Sequence, residues 1–439
     1  MHVEFWFDFS CPYAFLASEV IEGICSRAGA TLSWHPMLLG GVFRAIGEGE
    51  GPMTRLSPAK ALHTTRDALR WADQRGIGLQ FPAGHPIRTV RALRVLLALP
   101  PAHWPAAIHA LYRAYWQAEG RERRLDRDEV IEAALAAAAI PADVRAAAFA
   151  AADTPAIKDE LRARTDDAVG RGVFGAPTCF VTVDGRAPVM LWGQDRLHWV
   201  EAVLGGWRPD DDDGPPPPAT TAVELGAAAP GAGAAPVVDF YFDLSSPFAY
   251  LGSTQIERVC AEAGATLRWK PLLLGGLFKA IGTVDVPLFA MSDAKRRHLA
   301  GDMGRWARWW GVPFRMASRF PMRTVTALRM ILAAGDQATA LTHRLFRAGW
   351  AEDLDLADEP TLRRLAADAG CADDLVERTR DPAIKQALIA ATAEAQAAGV
   401  FGVPTCVIHR PGRAGDGDAT PALLWGQDRL DLVAALLRA

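Results

Sequence analysis

Phe7-Asp8-Phe9-Ser10-Cys11-Pro12-Tyr13-Ala14-Phe15 is written a second time in this chain, as Phe242-Asp243-Leu244-Ser245-Ser246-Pro247-Phe248-Ala249-Tyr250. Each copy follows an apolar run, Val3 to Phe9 or Val237 to Leu244, that reads as a buried strand. Each leads into a helical pattern with Pro at its first position, where a missing N–H costs nothing. Cys11 and Ser246 therefore sit at helix N-termini, where unpaired N–H groups and the positive end of the helix dipole stabilise a thiolate or a bound anion. For Cys11 the same field predicts a thiol pKa below the ordinary ~8.5.

The repeat extends far beyond this stretch. An offset of 235 residues joins Trp34 to Trp269, Gly40-Gly41 to Gly275-Gly276, Trp71 to Trp306 and Arg88-Thr89-Val90 to Arg323-Thr324-Val325. Phe174-Gly175-Ala176-Pro177-Thr178-Cys179 matches Phe401-Gly402-Val403-Pro404-Thr405-Cys406 at a smaller offset of 227, so the second half carries a net deletion. A repeat this long implies tandem domains rather than a solenoid. The expected boundaries are 1–207 and 237–439, with 208–236 as a linker: it opens on an Asp run, passes through Pro215 to Pro218, and is then rich in Ala, Gly and Pro. Such a segment reaches roughly 30 Å as a flexible chain.

Within the first half the pattern predicts strands over Val3–Phe9, Thr31–Pro36, Thr178–Val183 and Val189–Trp192. Helices are predicted over Pro12–Ala28, Thr89–Leu99, Glu129–Ala139 and Gln194–Leu204. Strand–helix–strand at the start implies a parallel pair, and the last two strands an antiparallel hairpin around Asp184-Gly185.

With 439 residues and half of them hydrophobic, the chain can bury more than one core. A net charge of −4 with signs well mixed gives no basic face for nucleic acid or membrane, so a small-molecule partner is expected. Six cysteines without a Cys-x-x-Cys pair do not make a disulfide framework. Together with the absence of a leader pattern and of an apolar run long enough to span a membrane, they predict a cytoplasmic location. His35, His63, His85, His298 and His343 show no metal-ligand spacing, and no metal is expected. Cys25, Cys179, Cys260, Cys371 and Cys406 read as packing residues.

Three motifs recur in both halves: Asp-x-x-Ser/Cys-Pro-Phe/Tyr, Phe-Gly-Ala/Val-Pro-Thr and Trp-Gly-Gln-Asp-Arg-Leu. Their order resembles the thioredoxin fold with a large helical insertion, an α/β architecture. More narrowly, the chain resembles the kappa-class glutathione transferases and 2-hydroxychromene-2-carboxylate isomerases of the DsbA-like superfamily. The resemblance implies glutathione as cofactor, with Ser246 holding its sulfur as a thiolate and Cys11 in the matching place; the plainer reading of Ser246 is an N-cap. It implies cis peptide bonds at Pro177 and Pro404, which would open the backbone of Ala176 and Val403 to an extended ligand. It places Asp195 and Asp428 on the ligand's α-amino group and the N–H groups around Gln194 and Gln427 on its carboxylate, the alternative being simple complementation of a helix dipole. Trp192 and Trp425 read as core.

Lys279 matches a lysine of the family, whereas Arg44, Glu48 and Thr283 depart from its pattern. Arg88 and Arg323 fall where the isomerases carry a substrate-touching asparagine; they either grip a substrate carboxylate or lie on the surface. The implied activity is glutathione-dependent isomerisation, or transfer, on an electrophilic aromatic substrate in aromatic catabolism. Monothiol disulfide exchange through Cys11, whose resolving partner is replaced by Ala14, is an alternative, and non-catalytic glutathione binding is another. Relatives of half this length are dimers, which implies an intrachain pseudo-dimer.

Overall fold

The computed structural model describes residues 1–49, 51, 56–117, 124–211, 214, 216–217, 235–283, 287–410 and 421–438. The expected linker, 208–236, lies largely outside them. The chain divides into two compact units, one made of Met1–Arg55, Arg66–Pro215 and Ser292–Lys295, the other of Leu56–Thr65, Pro216–Met291 and Arg296–Ala439.

Along the first half run β1 (His2–Phe7), α1 (Pro12–Ala28), β2 (Thr31–Pro36), α2 (Leu39–Ala45), α3 (Pro58–Gln74), α4 (Val90–Ala98), α5 (Trp104–Trp116), α6 (Asp128–Ala137), α7 (Ala142–Ala151), α8 (Pro155–Gly170), β3 (Thr178–Thr182), β4 (Val189–Trp192) and α9 (Leu197–Leu204). The strands form one sheet in the order β2-β1-β3-β4. β1 and β2 are parallel, in register Phe5↔Trp34, as a helical crossover through α1 requires. β3 runs antiparallel to both β1 and β4. Helices α2 to α8 form the insertion between β2 and β3.

The second half repeats this order with β5 (Val237–Phe242), α10 (Pro247–Glu262), β6 (Thr266–Pro271), α11 (Leu274–Ala280), α12 (Asp293–Trp309), α13 (Val325–Ala333), α14 (Ala338–Trp350), α15 (Glu359–Asp368), α16 (Leu375–Arg378), α17 (Pro382–Ala397), β7 (Thr405–His409), β8 (Ala422–Trp425) and α18 (Leu430–Arg438). Its sheet order is β6-β5-β7-β8. Two α/β domains of thioredoxin type, each with a helical insertion, are thus present.

Alternation along the central strands decides what each sheet buries. Phe5 and Phe7 project toward one face and meet Trp34 edge-on, with ring centroids 5.2 and 5.8 Å away. Phe240 and Phe242 repeat the arrangement around Trp269 at 5.3 and 5.6 Å. All four phenylalanines are fully buried, each contributing about 1.5–3 kcal/mol of transfer free energy. Across the same core, Trp116 Nε1 donates to Phe9 O at 2.9 Å, and Trp350 Nε1 to Leu244 O at 2.8 Å, pinning the loop between first strand and first helix in each half.

Two details differ from the sequence expectation. The first strand ends at Phe7 rather than Phe9, because Asp8 folds its carboxylate inward. The last helix is preceded by a separate 3-10 turn, Gln194–Arg196 in one half and Gln427–Arg429 in the other, so Asp195 and Asp428 stand on that turn and not in the first turn of an α-helix. Among the described residues no helix is long and apolar enough to cross a membrane.

Candidate active sites at the two helix N-termini

Each site begins with a buried aspartate. Asp243 accepts hydrogen bonds from Ser245 N (2.9 Å), Leu274 N (2.8 Å) and Thr324 Oγ1 (2.8 Å). Asp8 accepts from Ser10 N (3.0 Å), Ser10 Oγ (3.0 Å), Leu39 N (2.8 Å) and Thr89 Oγ1 (2.6 Å). One carboxylate thus ties the loop before the first helix to the starts of two insertion helices. Burial pushes both carboxyls upward, against the pull of these donors. Neither aspartate, nor Thr89 or Thr324, stood out as functional by residue type; the available signal was their recurrence at the 235-residue offset.

The loop so fixed delivers Cys11 and Ser246 to the N-cap with nearly the same backbone, φ/ψ −96°/115° and −100°/117°. Ser246 Oγ accepts from Ala249 N at 3.1 Å and donates to Val403 O at 3.3 Å. Cys11 Sγ donates to Ala176 O at 3.1 Å and makes no cap hydrogen bond. The expectation of a low thiol pKa is overturned: burial pushes Cys11 up to about 12, outweighing the backbone N–H groups of Ala14 and Tyr13, with the Asp8 charge adding to the rise. Cys11 is a protonated donor at neutral pH.

The Ala176-Pro177 and Val403-Pro404 bonds are both cis, as expected, and so are His85-Pro86 and Phe320-Pro321. Ala176 and Val403 are only 9% and 6% exposed, their carbonyls turned to the Cys11 and Ser246 side chains.

Motifs far apart in sequence interlock here. A Cβ on Gly175 would lie 2.6 Å from Trp192 Nε1, and one on Gly402 2.8 Å from Trp425 Nε1, so the glycine of one motif makes room for the tryptophan of the next. Trp192 and Trp425, expected in the core, are half-buried, their rings tilted against those of Phe174 and Phe401 at 4.8 and 5.2 Å. Gly193 and Gly426 then adopt φ of 110° and 114°, and a Cβ there would strike the carboxylate of Asp195 or Asp428. Their N–H groups donate to Pro177 O (3.0 Å) and Pro404 O (2.9 Å), which brings the Gln-Asp turn beside the cis-proline.

On this turn Gln194 and Gln427 are buried. Asp195 pairs with Arg196 and Asp428 with Arg429, each at 3.1 Å. These arginine partners are an addition that the motif reading did not foresee. Lys279 stands exposed on the last turn of α11. Arg88 and Arg323 are exposed, directly before the threonines that bind Asp8 and Asp243. Arg323 lines a cleft of about 250 Å³ with Arg319, Met322, Asp353, Asp355 and Leu356. Met322 N donates to Ser245 Oγ at 3.1 Å, which ties the cleft wall to the residue before Ser246.

The model of the DSBA-like thioredoxin domain matches twice, over residues 2–205 and 237–438. The chain is similar to a 2-hydroxychromene-2-carboxylate isomerase of Sphingobium xenophagum, 28% identical over 201 residues, covering 46% of this chain and 97% of that protein. It is similar to glutathione S-transferase kappa 1 of Homo sapiens, 27% identical over 209 residues, covering 46% and 90%. A solved structure of a 2-hydroxychromene-2-carboxylate isomerase is 26% identical and covers 46% of this chain and 94% of that one, with a TM-score of 0.40. With both halves matched almost from end to end, the chain belongs to the DSBA-like thioredoxin domain family, in tandem duplication.

Proposed function

We propose that this protein is a glutathione-dependent enzyme whose Ser246-bearing unit isomerises, or adds glutathione to, an electrophilic aromatic compound of the 2-hydroxychromene-2-carboxylate type. The observation that carries the reading is the Ser246 hydroxyl: buried, at the N-terminus of a 16-residue helix, and turned toward the cis-proline corner. A hydroxyl there can rotate to donate to an anionic sulfur while the helix N-terminus favours its charge. Val403 and Pro404 form the adjoining wall, with Gln427 and Asp428 beside them; Asp428 supplies a carboxylate for an ammonium group. Lys279 belongs to the same proposed binding set in this half, and Ala176, Pro177, Gln194 and Asp195 to that of the other. Bound glutathione supplies a thiolate whose reversible addition to a conjugated double bond makes that bond rotatable, and whose expulsion leaves glutathione unconsumed.

Arg323, in the cleft next to the Ser246 loop, is the proposed holder of a substrate carboxylate, with Arg88 in the corresponding place of the first half. The similar proteins carry isomerase and transferase names, which supports an enzyme of this family. The test is turnover of 2-hydroxychromene-2-carboxylate with and without glutathione; conversion at an equal rate without glutathione would sink the proposal. Monothiol exchange through Cys11 is disfavoured by a thiol held protonated, since the thiolate is the attacking species.

A further inference from the structure

Trp116 and Trp350 hold the same place in the two halves, each donating to a carbonyl of the loop before the first helix. The residues just before them therefore correspond: Tyr115 in the first half, Gly349 in the second. In the same way Thr89 and Thr324, both bound to the buried aspartates, match Ile87 to Met322 and His85 to Phe320, each of the latter two preceding a cis-proline. Tyr115 is fully buried; its hydroxyl accepts from Ile87 N at 2.9 Å and is hydrogen-bonded to His85 Nδ1 at 2.9 Å. The second half exchanges both members of that polar pair, one for glycine and one for a phenyl ring. With no hydroxyl at position 349, Met322 N donates instead to Ser245 Oγ.

Gly349 lies within α14, so no left-handed φ calls for glycine there, and glycine is among the poorest helix formers. What it provides is space. A Cβ would stand 3.1 Å from both Sδ and Cε of Met322 and 3.4 Å from Leu356 Cδ1, and Met322 and Leu356 both line the cleft beside the Ser246 loop. Pro321 and Leu354 extend its apolar lining. Of the charged groups around it, Arg319 pairs with Asp355 at 3.3 Å and Asp353 with Arg315 at 3.7 Å, whereas Arg323 has no carboxylate partner among the described residues. Phe320 and Phe289, the latter 58% exposed, add an aromatic edge next to Pro321, their centroids 6.3 Å apart. An apolar hollow with one unneutralised cation suits a flat ring that carries a carboxylate.

We propose that Gly349 is the specificity-determining residue of this cleft: by withholding a side chain it lets Met322 pack down against α14 and leaves depth for a flat aromatic carboxylate beside Ser246. In the Cys11-bearing unit Tyr115 occupies the matching place, and that unit does not take this ligand class. The inference rests on the reading above of the cleft as the substrate's seat.

Two measurements on the full chain test it. In a calorimetric titration with 2-naphthoate, an inert aromatic carboxylate, wild type binds one per chain; Gly349→Ala weakens this about threefold and Gly349→Leu about tenfold or more, as Met322 is driven into the cleft. Adding Met322→Ala to Gly349→Leu removes the displaced side chain and restores binding to within about threefold of wild type. Gly349→Ala favours the helix and so decides the matter even where the leucine variant does not fold. In turnover of 2-hydroxychromene-2-carboxylate with glutathione, the same variants raise KM in the same order while kcat holds. Naphthoate affinity unmoved by both Gly349 variants, a loss that Met322→Ala does not restore, two equivalent naphthoate sites, or none, would overturn the role of Gly349. Turnover that needs no glutathione, with naphthoate binding still governed by Gly349, would overturn the glutathione reading alone.

Discussion

Ser246 and Cys11 differ in what their side chains can give a ligand. Ser246→Ala removes the donor proposed to hold the reacting sulfur, and kcat/KM for the glutathione-dependent reaction should fall on the order of 10²-fold, as for loss of one anion-stabilising donor; Cys11→Ser should leave that rate nearly unchanged. Cys11 itself should react slowly with iodoacetamide near pH 8, the rate climbing only as the pH approaches 12. The same shift has a stability consequence. A thiol raised from ~8.5 in the unfolded chain to about 12 in the fold contributes its full share below pH ~8.5 and loses it as pH rises toward 12. Cys260, pushed up to about 12, and Cys25, up to about 11, act in the same direction. Tm should therefore fall between pH 8 and 10, and Cys11→Ser should flatten the fall; a Tm constant over that range would contradict this account. The sequence shows that Cys11 starts a helix. It cannot show that the acceptor covering the thiol is Ala176 O, 165 positions away, and that burial decides its protonation.

At the level of elements, the loop between first strand and first helix depends on a partner distant in sequence. Asp243→Ala strips the acceptor from two part-buried amides and a buried threonine, so a loss of about 3 kcal/mol is expected in chemical denaturation, at ~1–3 kcal/mol per orphaned donor. Gly426→Ala forces a side chain into the Asp428 carboxylate at φ 114° and should weaken glutathione binding with a smaller loss of stability; unchanged affinity would separate Asp428 from the ligand. The strands, the parallel first pair and the hairpin were legible from apolar runs and turn residues, whereas the strand order was not read from them. The position of Asp8 was not, because its donors Leu39 and Thr89 lie 31 and 81 positions away and nothing local marks the meeting. The short turn before α9 and α18 was also hidden, since a 3-10 turn and a helix start share the same residues.

For the whole molecule, the 235-residue offset made the duplication readable before any element was placed, whereas the cleft beside Ser246 arises from loops whose residues follow no period. Each half carries its own four-stranded sheet and its own motif set. Residues 1–207 and 237–439, expressed apart, are expected to be soluble and to melt cooperatively; two insoluble or non-cooperative fragments would show that neither half folds alone. The matched N-cap backbones of Cys11 and Ser246, within 4° in φ and 2° in ψ, have a consequence for how such a gene can change. Sharing one reading frame fixes the two copies at equal dosage, so either can drift in chemistry without altering the supply of the other. The chain is thereby its own matched control: exchanging Cys11 and Ser246 between otherwise unaltered halves swaps oxygen for sulfur on an unchanged scaffold, at identical concentration, in one tube.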